Sequence, residues 1–561
     1  MYQPKPDPLE PFYALSRREL LGAGAGLLMA SPMARLLADN RVGQAPELSK
    51  STLVTGPYVV VETASGKLRG GHSRGALAFK GIPYGGSVSG TNRFKPAPPP
   101  STWIGVRDAL ALGTPAPQSA KTVYGEREPH PGEECLVLNV WTPAIDGKRR
   151  PVLFYNHGGG FSTGSAGSVA QDGGQLAANH DVVVVASNHR LGIMGYLALD
   201  EIGGDVYAGS GNAGMQDVLD ALKWVHHNIA AFGGDPQNVT VFGESGGGAK
   251  TSTLMAMPGA KGFFHKAGVM SGAMLRVTEK AQATSVARAV LNALDIQPDE
   301  IHKLADVPLE QLLAIQNGGP SPTGKLVHLP GGFGPMLDGK VISQHPFEPH
   351  AAPFVSSVPL LIGQNRDEAT FFYWQNPDVF KMSDADMVAR LRSELGAEKA
   401  DELVAVFRHE RPNASPVELF IAISTCGMWS ETPAEAECKV RQHGAPVYMY
   451  RYDYESNYPI KGTDWTLRAG HATEIQSKFE NPDLGGLMGT KPDRFEASRN
   501  FGQVWTSFAR TGHPQAPGVG RWPSFNLSSR ATMLVDVQCT LAYDPNRAER
   551  EVVQKLTVSR R

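Results

Sequence analysis

Cysteine is nearly absent from this chain, with four in 561 residues: Cys135, Cys426, Cys438 and Cys539. None stands in a C-x-x-C pair or at ligand spacing from a histidine, which argues against a structural zinc site. Cys426 and Cys438 are close enough in sequence to be bridged, and geometry decides whether they are. An excess of charge of one sign is lacking too. Lys+Arg 53 stand against Asp+Glu 55 with no block of like charge, so the chain offers neither a basic surface for nucleic acid nor an acidic tail. Gly 62 and Pro 42 are plentiful but carry no collagen or low-complexity period, and there is no internal repeat. Composition leaves an enzyme-like soluble globule with ample chain for a large core. Length alone suggests roughly three or four domains.

The amino terminus carries more information. "SRRELLGAGAGLLMASPMA" places Arg17 and Arg18 before an apolar stretch from Leu20 to Ala30 that is too short to span a bilayer. That arrangement resembles a twin-arginine export signal, so residues 1–49 read as signal and linker and the destination as periplasmic or secreted. An amphipathic helix on a cytoplasmic protein is the alternative. The glycines at 22, 24 and 26 follow arginines and no strand, so a dinucleotide-binding reading fails on context.

Beyond the linker, "YVVVETASGKLRGG" (58–71) reads as two short strands around a Ser-Gly turn. Buried-type runs then recur at 151–156, 182–187, 239–242, 358–363 and 447–452. Such β-branched runs suit strands covered on both faces. In "DVLDALKWVHHNIAAF" (217–232) Val218, Leu222, Val225 and Ile229 share one helical face. Strand, helix, strand in this rhythm predicts an α/β fold with a mostly parallel central sheet flanked by helices. The stretches 273–350 and 375–445 read as insertions or a cap.

"FGESGGGAKT" (242–251) admits two readings. G-x-S-x-G is the strand-to-helix turn that lifts a nucleophilic serine, here Ser245; with Lys250 and Thr251 the same letters approach a phosphate loop. A phosphate loop needs its lysine directly after Gly248, where this chain has Ala249, so Lys250 is read as a helix residue with no phosphate to hold. Hydrolysis also needs N–H donors for the alkoxide formed on an ester carbonyl. "NHGGGF" (156–161) follows a strand, and its glycines let backbone approach closely. The expected donors are Gly159, Gly160 and, beside the nucleophile, Gly246. A serine also needs a histidine and a carboxylate, in chain order Ser, acid, His. Asp367 and Glu368 form an acidic pair after the strand at 358–363, and the residues alone do not choose between them. Among His443, His471 and His513, position favours His471. The aromatic stretch "TFFYWQNP" (370–377) reads as core packing, with a lining for bulky or aromatic esters as the alternative.

Together with "FKGIPY", "GEECLVLNVWTP", "NHRLGIMGYL", "AGHATEI" and "WTSFARTGHP", these motifs resemble the type-B carboxylesterase and lipase family, from about Val60 to Tyr543. The resemblance implies one α/β-hydrolase domain over residues 50–561, with large insertions forming a cap and active-site gorge. It also implies a Ser245, Glu368 and His471 triad, and a hydrogen-bonding role for Ser271 beside it. The chain departs from the family in three places. Gly246 stands where alanine is usual and makes the elbow more flexible, Ala472 replaces a glycine after the base, and Cys135 has no upstream cysteine to pair with. The implied activity is ester hydrolysis through an acyl-enzyme, needing no metal or organic cofactor. A small-molecule ester is the expected partner, with no nucleic acid and no stable membrane anchor, in a monomer or homodimer. An amidase or thioesterase with the same triad, or a binding module on the same scaffold, is the alternative.

Overall fold

The computed structural model describes residues 53–118, 128–322 and 324–558. The export signal expected at 1–49 lies outside them. Thirteen strands form the main sheet. In chain order they are β1 (Thr55–Thr63), β2 (Gly66–Ser73), β3 (Ala76–Pro83), β4 (Val106–Asp108), β5 (Val137–Thr142), β6 (Arg150–Asn156), β7 (Val183–Ser187), β8 (Gly234–Glu244), β9 (Lys266–Met270), β10 (Leu360–Asn365), β11 (Val447–Tyr452), β12 (Ala531–Val535) and β13 (Thr540–Tyr543). Their spatial order is β1-β2-β3-β5-β7-β6-β8-β9-β10-β11-β12-β13, with β4 beside β2. From β7 to β12 every pair is parallel. Antiparallel strands close both ends.

The continuous apolar runs are explained by what covers them. Along β6, Val152 and Phe154 enter one core while Leu153 and Tyr155 enter another on the opposite face. The first is roofed by helix α1 (Ala213–Asn228), whose Val218, Leu222 and Val225 are fully buried, as is Ile229 just beyond it. The second is roofed by helix α5 (Arg494–Thr511), whose Trp505 ring lies 5.3 Å from Phe242. Each such side chain stabilises the fold by roughly 1.5–3 kcal/mol relative to exposure.

Three shorter helices set the site. Helix α2 (Gly246–Leu254) follows β8 with only Ser245 between them. Helix α3 (Pro416–Met428) belongs to the insertion over the sheet and starts at a Ser415/Glu418 capping box. Helix α4 (Thr473–Lys478) follows His471. All four cysteines are unpaired. The Cys438 thiol donates instead to the carbonyl oxygen of Phe347.

Candidate active site

Ser245 has φ 57° and ψ −124°, a strained conformation for a residue with a side chain, of the kind found at functional sites. It arises because β8 ends at Glu244 and α2 begins at Gly246, leaving one residue to turn the chain. The Ser245 N–H is anchored to the Met270 carbonyl oxygen at the end of β9, 2.8 Å away. Glycines at 158–160 bring the loop after β6 against this elbow. Gly159 has φ 86°, and a Cβ there would lie 2.3 Å from the Thr163 carbonyl oxygen. The N–H groups of Gly159, Gly160 and Gly246 donate no backbone hydrogen bond among the described residues, as expected of donors reserved for a ligand oxygen.

Gly246 is closely packed: a Cβ would stand 2.3 Å from the carbonyl oxygen of Gly160 and 2.4 Å from its N and Cα. The glycine loop rests directly on the elbow.

His471 and Glu368 are brought together across 103 residues of sequence, Nδ1 to Oε2 at 2.6 Å. Both side chains are fully buried. With Glu368 ionised, this pairing places the proton on Nδ1 and leaves Nε2 bare. Burial pushes the Glu368 carboxyl up to about 8, against the Ser271 hydroxyl and the Asn365 N–H that favour its charged form. The Asn365 N–H reaches Oε1 at 2.7 Å. Asp367 faces elsewhere. It is held by Arg366 at 2.9 Å and stands 3.8 Å from Arg468, so arginines separate the two acids that sequence alone left together. His513 bonds the Tyr448 hydroxyl, and His443 sits in an exposed turn.

Ser245 Oγ and His471 Nε2 are both buried without a hydrogen-bond partner. Instead Glu244 Oε1 stands 3.1 Å from Nε2, close enough for attraction but without hydrogen-bond alignment. Two bare acceptors would repel, and burial pushes the Glu244 carboxyl upward, in the direction that keeps it protonated. Ser245 and His471 are thus out of hydrogen-bond contact in this state, as is common between a nucleophile and its base before substrate binds.

Several neighbours escaped sequence reasoning. Glu474, three residues after His471, accepts from Asn365 Nδ2 at 2.5 Å and from Ser271 Oγ at 3.4 Å, so Ser271 joins two carboxylates. Burial and the Glu368 charge push Glu474 up. Lys478 is buried with Nζ 4.2 Å from the Tyr155 ring centroid. Trp429 stacks on the His471 ring at 5.2 Å and 13°, while Phe372 lies 4.9 Å away on a tilt. Phe371 and Trp374 are buried and stacked on each other. Of the aromatic stretch after Glu368, Phe371 and Phe372 thus pack against the imidazole.

A buried imidazole and carboxylate beside an elbow serine, with a glycine loop lying on that elbow, is the arrangement of a serine hydrolase built on an α/β-hydrolase sheet. Comparison with known proteins agrees. Residues 57–553 match the Carboxylesterase family. The chain is 36% identical over 501 residues to a para-nitrobenzyl esterase of Bacillus subtilis, covering 88% of this chain and 98% of that protein. It is 31% identical to a phenmedipham hydrolase of Pseudarthrobacter oxydans, over 90% of this chain and 100% of the other. A crystal structure of a Geobacillus stearothermophilus carboxylesterase superposes with a TM-score of 0.75 at 35% identity, covering 88% of this chain and 100% of that one. An esterase from Clostridium hathewayi that can hydrolyze aliphatic aromatic polyesters gives a TM-score of 0.75 at 31% identity, covering 90% and 100%. The chain belongs to the carboxylesterase family. It is a serine hydrolase acting on carboxylic esters.

Proposed function

We propose that Ser245 is the nucleophile, His471 its general base and Glu368 the carboxylate that orients the base, in hydrolysis of bulky or aromatic carboxylic esters. The observation that carries this reading is the 2.6 Å contact between Glu368 and His471 Nδ1, which leaves Nε2 to take a proton. Rotation of the Ser245 side chain toward Nε2, displacing Glu244, closes the relay. His471 then takes the serine proton as Oγ attacks the ester carbonyl. The developing alkoxide is received by the N–H groups of Gly159, Gly160 and Gly246. The imidazolium, stabilised by Glu368 and by the Trp429 face, protonates the departing alcohol. Water repeats the cycle on the acyl-enzyme. The substrate class rests on the aromatic walls around His471 and on similarity to a para-nitrobenzyl esterase and a polyester-cleaving esterase. Release of para-nitrophenol from a graded series of acyl esters tests it, with Ser245→Ala as control. Folded Ser245→Ala should lose at least ~10⁴-fold in kcat. Retained activity would exclude Ser245 as nucleophile.

The single catalytic domain over 50–561 and export through residues 1–49 belong to the same proposal. Export is supported by Arg17 and Arg18 ahead of a short apolar stretch. Replacing both arginines with lysine should leave esterase activity in the cytoplasmic fraction. An unchanged distribution would refute a twin-arginine route.

A further inference from the structure

We propose that Lys250 is a positioning residue for this reaction: its amine tethers the glycine loop to the helix that carries the nucleophile and so holds the oxyanion donors in place. The proposal rests on the reading of Gly159 and Gly160 as those donors. Lys250 lies in α2, five residues after Ser245, and is fully buried. A buried ammonium is costly unless its protons are satisfied. Lys250 Nζ donates to the carbonyl oxygen of His157 at 2.9 Å and to that of Gly160 at 2.8 Å. The Phe161 ring centroid lies 5.5 Å away. No carboxylate forms an ion pair with it among the described residues.

The choice of those two carbonyls matters. The peptide whose oxygen is that of His157 precedes Gly158, and the peptide whose oxygen is that of Gly160 follows the second donor. The tether therefore grips both ends of the segment that carries the Gly159 and Gly160 N–H groups. Because the grip comes from α2, nucleophile and donors are referenced to one rigid element, which is what preorganisation for a transition state requires. The same pull accounts for the contact at the elbow, where Gly160 is drawn so near Gly246 that a Cβ there would lie 2.3 Å from its oxygen.

The surroundings keep the amine alone on that side of the loop. His157 and His189 stack at 4.5 Å and are both pushed well down by burial and by the charge of Lys250. Burial brings Lys250 itself down to about 7, with Glu244 pulling the other way. Charged or neutral, the amine has N–H bonds for both carbonyls, so the tether persists in either form.

The test is Lys250→Met, of similar length and without donors. Three quantities are read: kcat and KM on a para-nitrophenyl ester, the affinity of a trifluoromethyl ketone that adds Ser245 to form an oxyanion, and labelling of Ser245 by a fluorophosphonate. Loss of a well-placed donor set predicts a kcat lower by about 10²-fold, KM within about threefold, and ketone affinity weakened in step with kcat/KM. Circular dichroism and melting report whether the variant is folded. A folded variant with kcat and ketone affinity within about threefold of the parent, or a loss confined to KM, overturns the proposal. Parent protein that the fluorophosphonate does not label at Ser245 overturns the nucleophile reading instead. If Lys250→Met does not fold, Lys250→Gln carries the test: its shorter amide keeps a donor but cannot grip both carbonyls. Its kcat should fall clearly, and a parental value would refute the tether.

Discussion

Although alanine is usual at this place in the family, a single methyl group at Gly246 should disable this enzyme without unfolding it, because in this chain the glycine loop rests directly on the elbow. The Cβ of Gly246→Ala would stand 2.3 Å from the carbonyl oxygen of Gly160, and 2.4 Å from its N and Cα. Ordinary contact begins near 3.4 Å, so the glycine loop must retreat by roughly 1 Å, and a misplacement of that size costs on the order of 10²-fold in rate. The displaced atoms include the Gly160 N–H, one of the three proposed donors, and losing one such donor has the same order of effect, about 10²–10³ in kcat. Both routes give a drop of ~10² in kcat, with KM little changed because the loss falls on the transition state. The assay is steady-state release of para-nitrophenol, with melting temperature as the check on folding. A folded alanine variant within about twofold of the parental kcat would show that the loop does not supply the donors as described. In the Lys250→Met background the loop is free to yield, so the same methyl should cost less than in the parent.

Two further outcomes follow from the buried carboxylates. Glu368→Gln should lower kcat by roughly 10³–10⁴-fold by removing the charge that supports the imidazolium, whereas Asp367→Asn, whose side chain meets Arg366, Arg468 and the Ala469 N–H but not the imidazole, should leave kcat within about tenfold. The reverse order would reassign the acid. Glu435 tests the electrostatics away from the reaction. It accepts from the Ser252 hydroxyl and from the Met274 N–H, yet burial drives its carboxyl up to about 8 from an ordinary 4.5. The unfolded chain therefore releases this proton near pH 4.5 while the native state keeps it to about pH 8. Native stability falls across that window, by on the order of 4 kcal/mol at its upper end. Glu435→Gln removes the ionisation, so its melting temperature relative to the parent should rise between pH 5 and pH 8. An equal difference at both pH values would refute the shift.

How far these features were legible in the sequence depended on whether a residue type implies its surroundings. Runs such as 447–452 can be little else than covered strand, and β11 spans Val447–Tyr452. The amphipathic face at 217–232 gave α1, though the helix begins four residues earlier at Ala213 and relaxes into a tighter turn after Asn228. Strand β9, "KAGVM", was not visible: five residues containing a lysine and a glycine carry no pattern, and only neighbours on both sides make them a strand. At the site, Ser245 and the glycine loop announced themselves through steric demands that glycine alone meets. The acid did not, since Asp367 and Glu368 are adjacent, and what parts them is the placement of Arg366 and Arg468 in space. Lys250, Glu244, Glu474 and Lys478 were invisible for the same reason. A charged residue in a sequence reads as solvent-facing, and nothing local says that these four are buried.

The parallel order of the sheet also governs when this site can exist during synthesis. Ser245 leaves β8, Glu368 follows β10 and His471 comes after β11, and β11 gains its outer neighbour only when β12 at Ala531–Val535 is made. A nascent chain cut short anywhere before residue 531 therefore lacks a strand that flanks the base-bearing segment. Catalysis is a late event in the life of the polypeptide, and recovered turnover during refolding should report completion of the last parallel pairings, the slow steps of such topologies, and not the early collapse of the first half.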